Sequence, residues 1–166
     1  MLHITYGFNG TFYVTTEEKR INTSVASSKI RLLFKFTNDM DKGAVYAYGQ
    51  SQTHYDANRV WQRYTEVTIN YHTTEDVFLG RVNFTPFGYW KYEIYEVSWI
   101  GTVTLSSGRA PINEDNVLVV NDDHGIVQGK VEEGKLYVTE QPGDEQVRYT
   151  EHPPEPSATN YIYYGQ

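Results

Sequence analysis

Wherever apolar and polar residues form a pattern along this chain, they alternate with a period of two. Nowhere do apolar residues recur at the i, i+3, i+4, i+7 spacing of an amphipathic helix. After the corner Pro86-Phe87-Gly88, Trp90, Tyr92 and Ile94 fall on one face, and Tyr89, Lys91 and Glu93 on the other. This predicts a strand with one buried and one solvated face. Residues 30–36 repeat the pattern, with Leu32, Phe34 and Phe36 opposite Arg31 and Lys35, and after a turn over 37–43 the chain returns through 44–48. Residues 63–71 set Thr65, Val67, Ile69 and Tyr71 on one side, and 77–84 place Phe78, Val82 and Phe84 together. Residues 2–6 and 11–15 flank Asn9-Gly10, a pair that accommodates the positive φ angles of a type I′ turn, and predict a hairpin. Residues 101–105 are expected to pair with the aromatic strand, while the polar stretches 16–29 and 49–59 read as loops.

Up to about residue 107 this amounts to seven or eight strands with turn signals about every 8–12 residues, the spacing of a sandwich. The predicted fold is all-β: an immunoglobulin-like antiparallel β-sandwich over residues 1–107, followed by an extended β-arm over 108–166. Trp90, Tyr92, Ile94, Leu32, Phe34 and Phe36 are its expected core. Residues 108–166 hold five of the six prolines, and their apolar stretches, such as Val117-Leu118-Val119-Val120, Ile126-Val127 and Leu136-Tyr137-Val138, are short. Turn signals at Asp122-Asp123-His124-Gly125, Glu132-Glu133-Gly134 and Pro142-Gly143-Asp144 separate them. Such segments carry too little apolar surface to form a core alone and suit subunit contacts. His152-Pro153-Pro154-Glu155-Pro156 reads as a stiff spacer leading to a terminal strand former suited to adding to a sheet edge. The interface candidates are Tyr149, Tyr161, Ile162, Tyr163 and Tyr164.

Composition narrows the partners. Fourteen Lys and Arg stand against 21 Asp and Glu, a net charge of −7 without a basic stripe, so nucleic acid is not expected to bind. The absence of cysteine excludes disulfides, thiolate metal sites and cysteine nucleophiles, and fits synthesis in a reducing compartment. Residues 1–6 lack the basic and apolar regions of a signal peptide, and no apolar run approaches the ~20 residues of a membrane helix, so no membrane partner is expected. Asn-x-Ser/Thr matches at Asn9, Asn22 and Asn83 are therefore read as chance. Fifteen tyrosines, each with an apolar ring and a polar tip, suit half-buried and interface positions.

Candidate chemistry is sparse, and no catalytic, cofactor-binding or metal residue is assigned. Asn38, Asp39, Asp41 and Gly43 resemble a fragment of a calcium loop but lack its distal Glu, so they read as a turn, as do Asp122 and Asp123. Five scattered histidines show no zinc-helix spacing. Glu93 and Glu96, three apart on one strand, point to opposite faces and read as solvated carboxylates. Trp61, Tyr64, Tyr89 and Trp99 are candidates for a sugar-stacking platform, the basis of an alternative reading as a carbohydrate-binding or host-adhesion module.

Two resemblances add to this. Pro86-x-Gly88-x-Trp90-x-Tyr92 is similar to the tyrosine corner of immunoglobulin folds, with Trp90 in place of the tyrosine and Tyr92 in place of the cysteine. The N-terminal segment, residues 34–39, 88–96 and 134–138, and the 149–152 to 161–164 ending resemble small virion proteins of tailed bacteriophages. That resemblance implies a structural role in capsid decoration or in the neck or tail. Its implied partners are other virion proteins (major capsid, neck or tail subunits) and further copies of itself, with no cofactor.

Overall fold

In the computed structural model, residues 1–53, 64–141 and 143 are described. Among them there is no α-helix; nine strands form two sheets, with two three-residue 3₁₀ turns at Glu17–Lys19 and Ser27–Lys29. The all-β expectation stands. The strands are β1 (Leu2–Thr5), β2 (Gly10–Val14), β3 (Ile30–Asn38), β4 (Ala44–Tyr48), β5 (Gln50–Thr53), β6 (Thr65–Tyr71), β7 (Arg81–Val82), β8 (Gly88–Ser98) and β9 (Ile126–Thr139). One sheet has the order β1-β9-β8-β3-β4; the other runs β2-β6-β5, with β7 alongside β6.

The period-two residues of β3 and β8 meet as expected. Phe34 lies opposite Ile94 and Phe36 opposite Tyr92 in antiparallel register. Leu32, Phe34, Phe36, Trp90, Tyr92 and Ile94 are all buried in one core with Phe12 and Val14 of β2, Val67 and Ile69 of β6, and Leu136 and Val138 of β9. Phe84 stands edge-on to both Phe36 (5.0 Å) and Trp90 (5.6 Å), the geometry aromatic quadrupoles favour.

Several expectations are corrected. The N-terminal hairpin does not form: β1 joins the large sheet, parallel to β9, while β2 pairs with β6 in the other sheet. The connection therefore crosses between layers. The Asn9 side chain accepts a hydrogen bond from the Tyr71 backbone N–H at 2.8 Å, and a Cβ on Gly10 would come within 2.8 Å of Ile4 Cδ1. Two parallel pairings, β1–β9 and β6–β7, also break the purely antiparallel pattern.

Residues 126–139, assigned to an arm beyond a boundary at 107, form one strand of 14 residues between β1 and β8. Glu132-Glu133-Gly134 looked like a turn, but each residue has a partner in the sheet. Gly134 lies opposite Tyr92, whose ring covers it, and Glu132 accepts from Thr15 and Tyr92. A Cβ on Gly134 would sit 2.7 Å from the Tyr92 hydroxyl. Gly134→Val is therefore expected to cost about 1–3 kcal/mol, read from chemical denaturation, because the ring must leave its position.

Residues 101–105 form no strand. Gly101 N–H donates to Asp122 O at 2.6 Å and Thr102 N–H to Asp123 Oδ1 at 2.8 Å, while Val103 and Leu105 pack against a second apolar cluster. Residues 77–80 are likewise a turn, in which Asp76 Oδ1 accepts from Phe78 and Leu79 N–H at 2.9 and 3.0 Å, and of 77–84 only β7 is strand. Conversely, Gln50–Thr53, read as loop, is a polar strand whose partner is β6.

Candidate functional site

The five-stranded sheet has an inner face in the core and an outer face with three zones. At one end Leu33 of β3 lies opposite both Tyr48 and Tyr95. These side chains, Val97 and Trp99 are covered by residues from the stretch 99–125, including Val103, Leu105 and Ala110. The Tyr48 hydroxyl donates to Pro111 O at 2.7 Å, and Lys35 is ion-paired to Glu114, so the covering segment is fastened at several points. Burial alone would raise the Glu114 carboxyl, but bonds from Lys35, its own backbone N–H and Tyr46 hold it below the usual carboxylate range.

The middle zone is a charge lattice. Lys91 and Lys130 each reach both Glu93 and Glu133, at 2.5–3.3 Å. Burial opposes the Glu93 charge, yet the hydrogen bonds from the two lysines outweigh it and lower its pKa. At the far end Tyr89 and Tyr137 approach with ring centroids 4.8 Å apart, and His3 lies 6.1 Å from Tyr137. Lys135 bridges to Asp39 beside them.

Two carboxylates face inward. Glu96 is buried, contrary to the expectation of a solvated side chain, and its two oxygens accept from Ile21 N–H at 2.9 Å and Asn22 N–H at 2.8 Å. Glu132 accepts from Thr15 N–H at 2.8 Å, Thr15 hydroxyl at 3.1 Å and Tyr92 hydroxyl at 3.1 Å. Both side chains anchor the segment after β2 to the large sheet, and their oxygens are spent on backbone and hydroxyl donors. Burial, with the Glu132 carboxylate beside it, pushes Tyr92 up to about 12; burial and Glu114 do the same for Tyr46. These hydroxyls keep their protons in the folded chain above the ordinary tyrosine range near 10. Their contribution is therefore complete below pH about 10 and is lost as pH rises toward 12. Unfolding midpoints should fall across that window, and Tyr92→Phe should make the fall shallower.

The acidic turns behave as turns. Asn38 Oδ1 accepts from Met40 N–H at 2.7 Å and Asp41 Oδ1 from Gly43 N–H at 2.8 Å. Among the described residues no group of three His, Asp or Glu is placed to hold a metal ion, and no helix is long and apolar enough to cross a membrane. An open concavity of about 420 Å³ lies at the β1–β2 connection between His3, Ile4, Phe8 and Asn9.

Of the proposed stacking platform, Tyr64 and Tyr89 are exposed, whereas Trp99 is fully buried in the second cluster and is removed from it. Trp61 and all five interface candidates, Tyr149, Tyr161, Ile162, Tyr163 and Tyr164, lie outside the described residues.

One exposed feature is a short apolar stretch of the kind expected to suit subunit contacts. Residues 117–120 belong to no strand and lie between two anchored turns, with Val117 91%, Val119 81% and Val120 86% exposed. Among the described residues, no backbone N–H of Val117, Leu118 or Val120 donates a hydrogen bond; the one contact is His124 Nδ1 on Val119 O at 2.8 Å. Four consecutive strand-forming apolar residues with acidic groups on either side were the available signal.

No family model, curated protein or solved structure matches this chain.

Proposed function

We propose that the protein is a structural component of a tailed-bacteriophage virion, in capsid decoration or in the neck or tail, acting through contacts with other virion proteins and with copies of itself. The observation that carries this reading is the exposed apolar segment 117–120, unpaired among the described residues, on an all-β scaffold. Such a surface is suited to another protein chain rather than to chemistry.

The immunoglobulin-like reading has support of its own. In the order β1-β9-β8-β3-β4 against β2-β6-β5, the strands β9-β8-β3 take the places of G-F-C, β4 that of an added C′ strand, and β2-β6-β5 those of B-E-D. Trp90 Nε1 donates to Pro86 O at 3.1 Å, four residues upstream at the start of β8. The tyrosine-corner hydroxyl makes the same kind of return bond. On this reading β9 closes the sandwich, and the chain beyond it is the arm.

The test is peptide mapping and electron cryomicroscopy of purified particles carrying the full chain or a chain lacking residues 150–166. The full chain is expected in the particle at a fixed copy number. The shortened chain should stay folded in the lysate but fail to be incorporated. Absence of the full chain from purified particles would end this reading. A second reading, glycan binding, is favoured by the exposed Tyr89 and its contact with Tyr137 beside His3. It predicts glycan-array binding by the isolated protein that Tyr89→Ala abolishes.

A further inference from the structure

We propose that residues 117–120 are the acceptor strand for Tyr161-Ile162-Tyr163-Tyr164 of a second copy of this chain; the inference rests on the reading of a protein that works through subunit contacts.

The acceptor lies outside both sheets, and among the described residues no strand pairs with it. Its ends are fixed: the turn before it is held by Asn116 Oδ1 accepting from Ile112 N–H at 3.2 Å and by the Lys35–Glu114 ion pair, and the turn after it by Asp122 and Asp123 accepting from Gly101 and Thr102. Fixing both ends lowers the ordering needed when another strand arrives. The unused N–H groups of Leu118 and Val120, two residues apart, are donors that a strand added along one edge needs.

Charge argues against the segment pairing with its own copy. Glu114 and Asp115 precede it, and Asp122 and Asp123 follow it. An antiparallel self-pair sets the leading acids of one copy against the trailing acids of the other, and a parallel pair sets like against like. Both arrangements bring carboxylates together. The occupant should therefore be a short apolar strand with uncharged flanks. The chain holds such a segment at its C-terminal end, between Ala158-Thr159-Asn160 and Gly165-Gln166. Its aromatic side chains opposite valines make favoured cross-strand pairs. It is also long enough to reach a neighbour. The 18 residues from Asp144 to Tyr161 can extend to about 60 Å, and prolines 153, 154 and 156 restrict their backbone. Val117 is exposed, so the acceptor is open to a donor from another copy.

The test uses full-length protein in sedimentation equilibrium. Wild type is expected to self-associate with increasing concentration. Val119→Lys, which disables the acceptor, and Ile162→Lys, which disables the donor, should each weaken association at least tenfold. An equimolar mixture of the two retains one intact donor and one intact acceptor, so it should form a 1:1 heterodimer and nothing larger. Val117→Lys, at the most exposed valine, repeats the acceptor test, and circular dichroism confirms that each variant is folded. Association of Val119→Lys and Val117→Lys at wild-type strength, a mixture that stays monomeric, or a monomeric wild type would overturn the assignment. Loss of association in Ile162→Lys alone would remove the acceptor while leaving the tail as a subunit contact. The virion reading stands or falls separately, on whether the full chain is found in purified particles.

Discussion

Trp99→Ala is expected to lower the free energy of unfolding by about 3–5 kcal/mol, a large part of the stability of a chain this size. Trp99 is fully buried with Leu33, Tyr48, Val97 and Ala110. It is the first residue of the stretch that folds back over the outer face of the large sheet. Its backbone N–H donates to Lys29 O at 3.0 Å, and Gly125, where that stretch rejoins the sheet, lies so close that an added Cβ would sit 2.5 Å from the indole ring. Removing the ring leaves a void under the whole cover, so residues 99–125 should become sensitive to protease, with Arg109 a natural trypsin target. Trp99→Phe makes the argument sharper. The indole Nε1–H is buried and has no hydrogen-bond partner among the described residues. Phe loses some volume but also removes an unsatisfied donor, and its cost should be closer to 1 kcal/mol. Urea denaturation of the two variants reads both numbers, and equal losses would mean that packing of the ring is not what holds the cover down.

Local pattern was readable from sequence, and pairing partners were not. The alternation in β3, β6 and β8 follows from the pleat itself, so Leu32, Phe34, Phe36, Trp90, Tyr92 and Ile94 could be placed in the core from their spacing alone. The Asn9-Gly10 pair carries a strong local hairpin signal, yet β1 gains more by lying against β9, a partner over 130 residues away in sequence (Leu2 opposite Leu136). Nothing within residues 1–15 encodes that choice. The same limit hid β9. Glu132-Glu133-Gly134 reads as a break because two acids and a glycine are poor strand formers in isolation. In the sheet Glu132 answers donors from Thr15 and Tyr92, and the Tyr92 ring fills the space beside Gly134. The cover over the outer face was illegible for a related reason: Val103, Leu105 and Ala110 are too sparse to show periodicity, and they are apolar because of the surface beneath them. Position within the fold also reversed the reading of Glu96, which is polar by type and buried by location.

Glu96 carries the second large effect. Its carboxylate sits inside the protein and holds the consecutive N–H groups of Ile21 and Asn22, while Asn22 Nδ2 donates to Ser98 Oγ at 3.2 Å. The segment so held contains no strand; its other supports include the bonds of Arg20 to Ser27 Oγ at 2.9 Å and Val25 O at 2.6 Å, and that of Thr15 N–H to Glu132 at 2.8 Å. Glu96→Ala removes both acceptors from the donors they serve and leaves space where the carboxylate was, a loss of about 2–4 kcal/mol. Glu96→Gln keeps the shape, but its amide turns a donor toward one of the two N–H groups, so it should fall between wild type and Ala. Because the anchor is local, the first observable consequence should precede global unfolding: trypsin cleavage after Lys19 or Arg20 should accelerate in native buffer, in the order Ala, then Gln, then wild type. If Glu96→Ala lost stability while cleavage at those sites kept its wild-type rate, the carboxylate would be holding something other than this segment. The arrangement also explains why a carboxylate is tolerated in a wall of apolar side chains. An aliphatic residue there would leave two N–H groups without acceptors at the point where the chain passes from one sheet to the other.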